Sequence, residues 1–208
     1  MLRFPLLRKA VSRYLQLDYQ YFVKENPTKY KELFKVFEIL LIDGIIDTKF
    51  VNNWADKILS KESQSEFEFI ELSLTNNIND LLSLLKKLSA KCDLKIVQRA
   101  TFGILYNSTS NEFPDLKTTT RIVSRFVYKN ALTEKEKEFL YGIDDYIELA
   151  ISGIYGDLHK LKNEFWDFLE IYDSLNFVTY ENWKALNKEI EDNIVISLEK
   201  VKKKHYNN

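Results

Sequence analysis

The chain has 208 residues and a formal net charge of −1, with 45% hydrophobic, 14% aromatic and 29% charged residues. That is enough for one large domain or two small ones with a sizeable core, while five glycines and three prolines are too few for the many turns of a β sandwich. A single cysteine, Cys92, excludes an internal disulfide, and no apolar run approaches the roughly 20 residues that span a bilayer.

Residues 5–24 predict a first helix, with Leu7, Val11, Tyr14, Asp18 and Tyr21 on one face. The basic start around Arg3, Arg8 and Lys9 leaves only residues 4–7 uncharged, too short for a secretory signal, so the expected location is cytoplasmic. Residues 26–59 read as a helical hairpin. Asn26 and Pro27 open its first helix, and Leu33, Phe34, Phe37, Leu40 and Leu41 form the stripe. Asp43-Gly44 stops it, because glycine takes the left-handed conformation of a C-terminal cap. Asp47 caps the second helix, whose stripe is Phe50, Val51, Trp54, Ile58 and Leu59, and the two stripes are expected to bury each other.

A polar loop over 61–65 leads to residues 66–74, where Phe67, Ile70 and Leu74 fit helical spacing while Phe67 and Phe69 alternate as in a strand; a short helix is the favoured reading, since no strand partner is evident. The next helix is carried by Ile78, Leu81, Leu82, Leu85 and Leu88. Asp93 caps another, bearing Leu94, Val97, Thr101, Ile104 and Leu105. Residues 107–114 have loop composition and are the candidate subdomain boundary. A helix over 116–132 follows, built on Ile122, Val123, Phe126 and Val127.

Thr133 and Glu136 have the spacing of a capping box. The helix after it carries Phe139, Leu140, Ile143, Tyr146, Ile147, Ala150 and Ile151 on one stripe, until Gly153 and Gly156 break it. Asp157 caps a helix that buries Leu158, Leu161, Phe165, Phe168, Leu169 and Tyr172. A last helix begins at Thr179, with Trp183, Leu186, Ile190, Ile194 and Val201 as its seam. The expected fold is all-α: one domain over 1–208, built from about eight to ten helices, mostly antiparallel hairpins. Gly44-Ile45 before Trp54 and Gly153-Ile154 before Trp166 hint at an internal similarity.

Chemistry is sparse. Cys92, His159 and His205 are too scattered for a zinc site, and neither a phosphate-cradling glycine loop nor a Gly-x-Ser-x-Gly elbow occurs. No cofactor, metal or catalytic set is therefore expected. Asp144, Asp145, Glu148 and His159 are the one group from which an acid–base site could be built, against the plainer reading of an acidic solvent face. Charge is uneven, with 15 acidic and 6 basic residues over 134–192. Basic residues cluster at Arg3, Arg8, Lys9 and Arg13, at Lys117, Arg121 and Arg125, and at Lys200, Lys202, Lys203 and Lys204.

Three segments carry a resemblance: Asp43-Gly44-Ile45-Ile46-Asp47, Trp54-Ala55-Asp56-Lys57-Ile58 and Phe69-Ile70-Glu71-Leu72-Ser73. Together they resemble a pattern in small helical bacterial proteins of uncharacterised or immunity type, antidotes encoded beside secreted toxins. The resemblance implies a binding protein and supplies no catalytic residue. The expected function is thus a non-enzymatic module that neutralises a basic toxin through an acidic surface. Its candidate contacts are Glu138, Asp144, Asp145, Glu148, Glu164, Asp167 and Glu170. The alternative is a nucleic-acid-associated regulator using the N-terminal basic cluster and Arg121/Arg125.

Overall fold

A computed structural model describes residues 26–61, 66–108, 115–129 and 131–206. Every regular element among them is helical. The expected first helix over 5–24, the Arg3–Arg13 cluster and most of the 61–65 and 107–114 loops lie outside the described residues.

A 3-10 turn, Pro27–Tyr30, leads into α1 (Lys31–Ile42). Then come α2 (Thr48–Leu59), α3 (Phe67–Leu74), α4 (Ile78–Leu88) and α5 (Leu94–Ser108). The second half holds α6 (Leu116–Ser124), α7 (Glu134–Leu140), α8 (Ile143–Ile151), α9 (Leu158–Glu170) and α10 (Trp183–Tyr206). The expected caps form. Asp47 accepts from the Phe50 N–H at 2.8 Å, Asp93 from Lys95 at 2.9 Å, and Asp157 from His159 at 2.9 Å. Thr133 and Glu136 close a capping box.

Two expected boundaries are corrected. The single helix across 139–151 is broken in two, because Tyr141 is extended and Gly142 sits at φ 71°, a left-handed conformation that glycine adopts without strain. The helix from 116 stops at Ser124 and continues to 129 only as turns.

The chain divides into two compact units. One contains Asp47–Leu84. Here α2 packs on α3, with the Trp54 and Phe69 rings 6.1 Å apart. Asn52, buried on α2, donates to the carbonyls of Leu72 (2.6 Å) and Thr75 (3.1 Å), satisfying the end of α3. Asp56 accepts a hydrogen bond from Ser73, which gives this off-stripe carboxylate a local role.

The other unit contains Tyr30–Ile46 and Leu85–Asn208. In it α1 packs on α5, burying Leu33, Phe34, Val36, Phe37, Leu40 and Leu41. The hairpin expectation is corrected accordingly: the main partner of α1 is α5 and that of α2 is α3. Helix α5 is buried on all sides from Ile96 to Leu105. It meets α9 and α10, and α9 meets α8 and α10. The aromatic centre is Phe102, with Tyr172 at 5.1 Å and Phe168 at 5.7 Å, while Phe139 stacks on Phe168 at 4.5 Å. Each such ring or leucine contributes about 1.5–3 kcal/mol by leaving water.

Candidate functional site

The second unit is pinned by a buried polar network. Arg99 of α5 donates from Nε to Glu136 Oε1 at 2.9 Å and from its terminal nitrogens to Glu136 Oε2 (3.1 Å) and Asn187 Oδ1 (2.9 Å). The Tyr172 hydroxyl donates to Glu136 Oε1 at 2.8 Å, and Thr133 donates to Oε2 from both N–H and hydroxyl at 2.7 Å. Burial alone would push the Glu136 carboxyl up. The bidentate guanidinium and Thr133 more than offset that and hold it below the usual carboxylate range. Burial and the Glu136 charge drive Tyr172 far the other way, well above the usual phenol range. Arg99, Glu136 and Tyr172 are closed off from solvent, so this cluster fixes α5, α7 and α10 and presents no reacting group. The sequence marks Glu136 as a capping residue and Tyr172 as a buried one, but not their bond to each other, nor Arg99 and Asn187. The one signal in the sequence is an arginine placed between the apolar residues Val97 and Phe102 in the middle of α5.

The acidic candidates fall into different environments. Asp144 and Asp145 lie in the first turn of α8, where they complement the helix dipole; Asp145 is exposed and Asp144 half-buried. Glu148 is exposed and 3.0 Å from Lys117, an equally exposed pair that water largely screens. Glu138 is exposed, 3.5 Å from Lys135. Glu170 is exposed beside the Tyr106 phenol, which burial and this carboxylate raise. Two candidates are corrected as open surface acids. Glu164 is only 7% exposed. Asp167 is held by Lys204 at 2.7 Å and His205 at 2.5 Å. Burial would raise its carboxyl, but these two partners bring it below the ordinary value.

Glu138 and Glu164 line a groove of about 590 Å³ with Tyr141, Tyr146, Lys202 and Lys203. His159 is exposed, its ring 3.1 Å from the Asn163 amide. Among the described residues, no group of three His, Cys, Asp or Glu is placed to hold a metal ion. Cys92 is half-buried, and its thiol is pushed up by burial and then by Glu32, away from nucleophile character. In the basic cluster of Lys117, Arg121 and Arg125, Arg125 pairs with Asp43 and Arg121 lies 3.8 Å from the same carboxylate. No helix among the described residues is long and apolar enough to cross a membrane.

The feature that periodicity did not reveal runs from 141 to 158. Tyr141, Tyr146, Ile151, Ile154, Tyr155 and Leu158 are all exposed, although Tyr146, Ile151 and Leu158 were expected on core stripes. Helix α8 buries Ile143, Ile147 and Ala150 instead. Comparison with protein-family models, curated proteins and solved structures gives no match to this chain.

Proposed function

We propose that this chain is a non-enzymatic protein-binding module of immunity type, which neutralises a basic protein, a toxin, by covering it. One observation carries the reading. Residues 141–158 contain four carboxylates (Asp144, Asp145, Glu148 and Asp157) and no lysine, arginine or histidine, and three of the four are exposed. Tyrosine is enriched at protein interfaces, and Tyr141, Tyr146 and Tyr155 stand exposed on the same stretch. Glu138 and Glu170 extend the acidic character onto α7 and α9.

Such a face steers a basic partner into encounter, and steering is screened beyond a Debye length of about 10 Å at 0.1 M salt. The test is a pull-down with the tagged protein from lysate of its own source at low and moderate salt, followed by binding kinetics with the captured partner. The expected result is a basic protein whose association slows with salt, and slows again in an Asp144→Asn, Asp145→Asn, Glu148→Gln variant. Association indifferent to both changes, or recovery of nucleic acid in place of protein, overturns the reading.

A further inference from the structure

We infer that the turn over 151–158 is the apolar anchor of this face, and that its occupant is a cationic amphipathic segment of a protein partner. The inference rests on the acidic-face reading and adds where the partner docks and in what form.

Backbone hydrogen bonds close the turn. Gly153 sits at φ 69° and donates to the Ala150 carbonyl at 3.1 Å, and the Ile154 N–H reaches back to Leu149 O at 3.0 Å. This is a Schellman ending, which spends the last free carbonyls of α8. Gly44 and Ile45 end α1 in the same way, with Gly44 at φ 68° and the Ile45 N–H 2.9 Å from Leu40 O. The residue after the glycine usually lays its side chain back on the helix. Ile45 does become half-buried. Ile154 keeps 73% of its surface exposed and Tyr155 keeps 70%. An identical backbone device therefore tucks its isoleucine away at one site and displays it at the other. With Ile151 and Leu158 on either side, the display amounts to four large apolar side chains within eight consecutive residues. Isolated exposed apolar residues need no explanation, but a contiguous group marks an interaction surface.

Charge selects the occupant. Asp157 within the turn and Asp145 and Glu148 just before it are exposed, residues 141–158 contain no lysine or arginine, and Lys117 is paired there, 3.0 Å from Glu148. That composition repels an anionic lipid surface and the same face of a second copy. It complements a segment with apolar side chains on one face and lysine or arginine on the other, the arrangement that amphipathic segments use to dock on a protein surface.

The experiment titrates the full chain with a short lysine–leucine amphipathic peptide and follows backbone amide shifts. A glutamate–leucine peptide and phosphatidylcholine vesicles run in parallel. The expected result is saturable shifts centred on 151–158 with the lysine peptide alone. Ile154→Ser with Tyr155→Ser should weaken binding about tenfold or more, as loss of a hot spot does. Both residues are exposed, so the variant keeps the fold. If that variant binds like the wild type while Asp145→Asn with Glu148→Gln weakens binding, the anchor falls and the acidic face stands. If neither variant changes binding, both fall. Equal binding of the glutamate peptide or of vesicles overturns the proposed occupant.

Discussion

Arg99 and Glu136, 37 residues apart in the chain, meet as a two-pronged ion pair with no exposed side-chain surface on either partner. Every remaining lone pair of the carboxylate is taken by Tyr172 or Thr133, and the third guanidinium arm by Asn187. The pair therefore depends on three further residues, Thr133, Tyr172 and Asn187, and the five come from four separate segments.

Removing one partner leaves the other charge buried without compensation. Arg99→Met should destabilise the protein by about 3–5 kcal/mol in urea unfolding, the usual cost of breaking such a pair. Adding Glu136→Gln should recover part of the loss, because the amide leaves no orphan charge. A loss below about 1 kcal/mol for Arg99→Met would contradict the network's role.

The pH profile has two limbs. Glu136 and Asp167 have depressed carboxyls, so the folded state binds fewer protons than the unfolded chain. Their contribution is present above the ordinary carboxylate value of about 4 and is lost as pH falls through the folded values. Tyr172 works in the other direction. Its phenol is raised, so its contribution is present below about pH 10 and is lost as pH climbs from there through the folded value. Urea midpoints measured across pH should show both declines. Glu136→Gln should flatten the acid limb without abolishing it, since Asp167 remains, and an unchanged limb would be inconsistent with this account.

At Gly103 the helix backbone of α5 runs against the turn after α9. A Cβ there would overlap the carbonyl oxygens of Tyr172 and Leu175, neither of which is the end of a flexible side chain. Gly103→Ala should cost at least about 1–3 kcal/mol of stability. Gly153→Ala meets no atom within 4 Å, and should cost about 1–2 kcal/mol through its left-handed backbone alone. Chemical denaturation of the two variants separates overlap from strain. A neutral Gly103→Ala would mean the turn can yield.

Gln98 is 1% exposed on α5, and among the described residues its amide oxygen and nitrogen have no hydrogen-bond partner. A buried unsatisfied amide costs about 1–3 kcal/mol. Gln98→Met, similar in shape and able to pack, should raise the thermal midpoint. A fall would indicate that the amide has a partner after all.

Helix positions were legible in the chain because they follow from local forces. Asp47, Asp93, Asp157 and the Thr133–Glu136 box each bond to backbone groups two or three residues away, so their sequence spacing suffices. Leu33, Phe34, Phe37, Leu40 and Leu41 announced a buried face by their period. The break at Gly142 is not legible in the sequence, because a glycine inside a periodic stripe does not reveal whether its φ turns positive, and here it does. The similarity between Gly44-Ile45 and Gly153-Ile154 was visible as letters and is explained by one shared helix ending.

The sequence by itself determined an all-helical chain, its caps and most of its apolar stripes, since hydrogen bonds within a helix span only four residues. Tertiary structure alone decided which stripes are covered and which charges meet. Periodicity marks a face as apolar without naming what lies against it. Thus Ile147 is buried while Tyr146 and Ile151 stay exposed, and Asp167 finds His205, 38 residues on, while Asp145 remains at the surface.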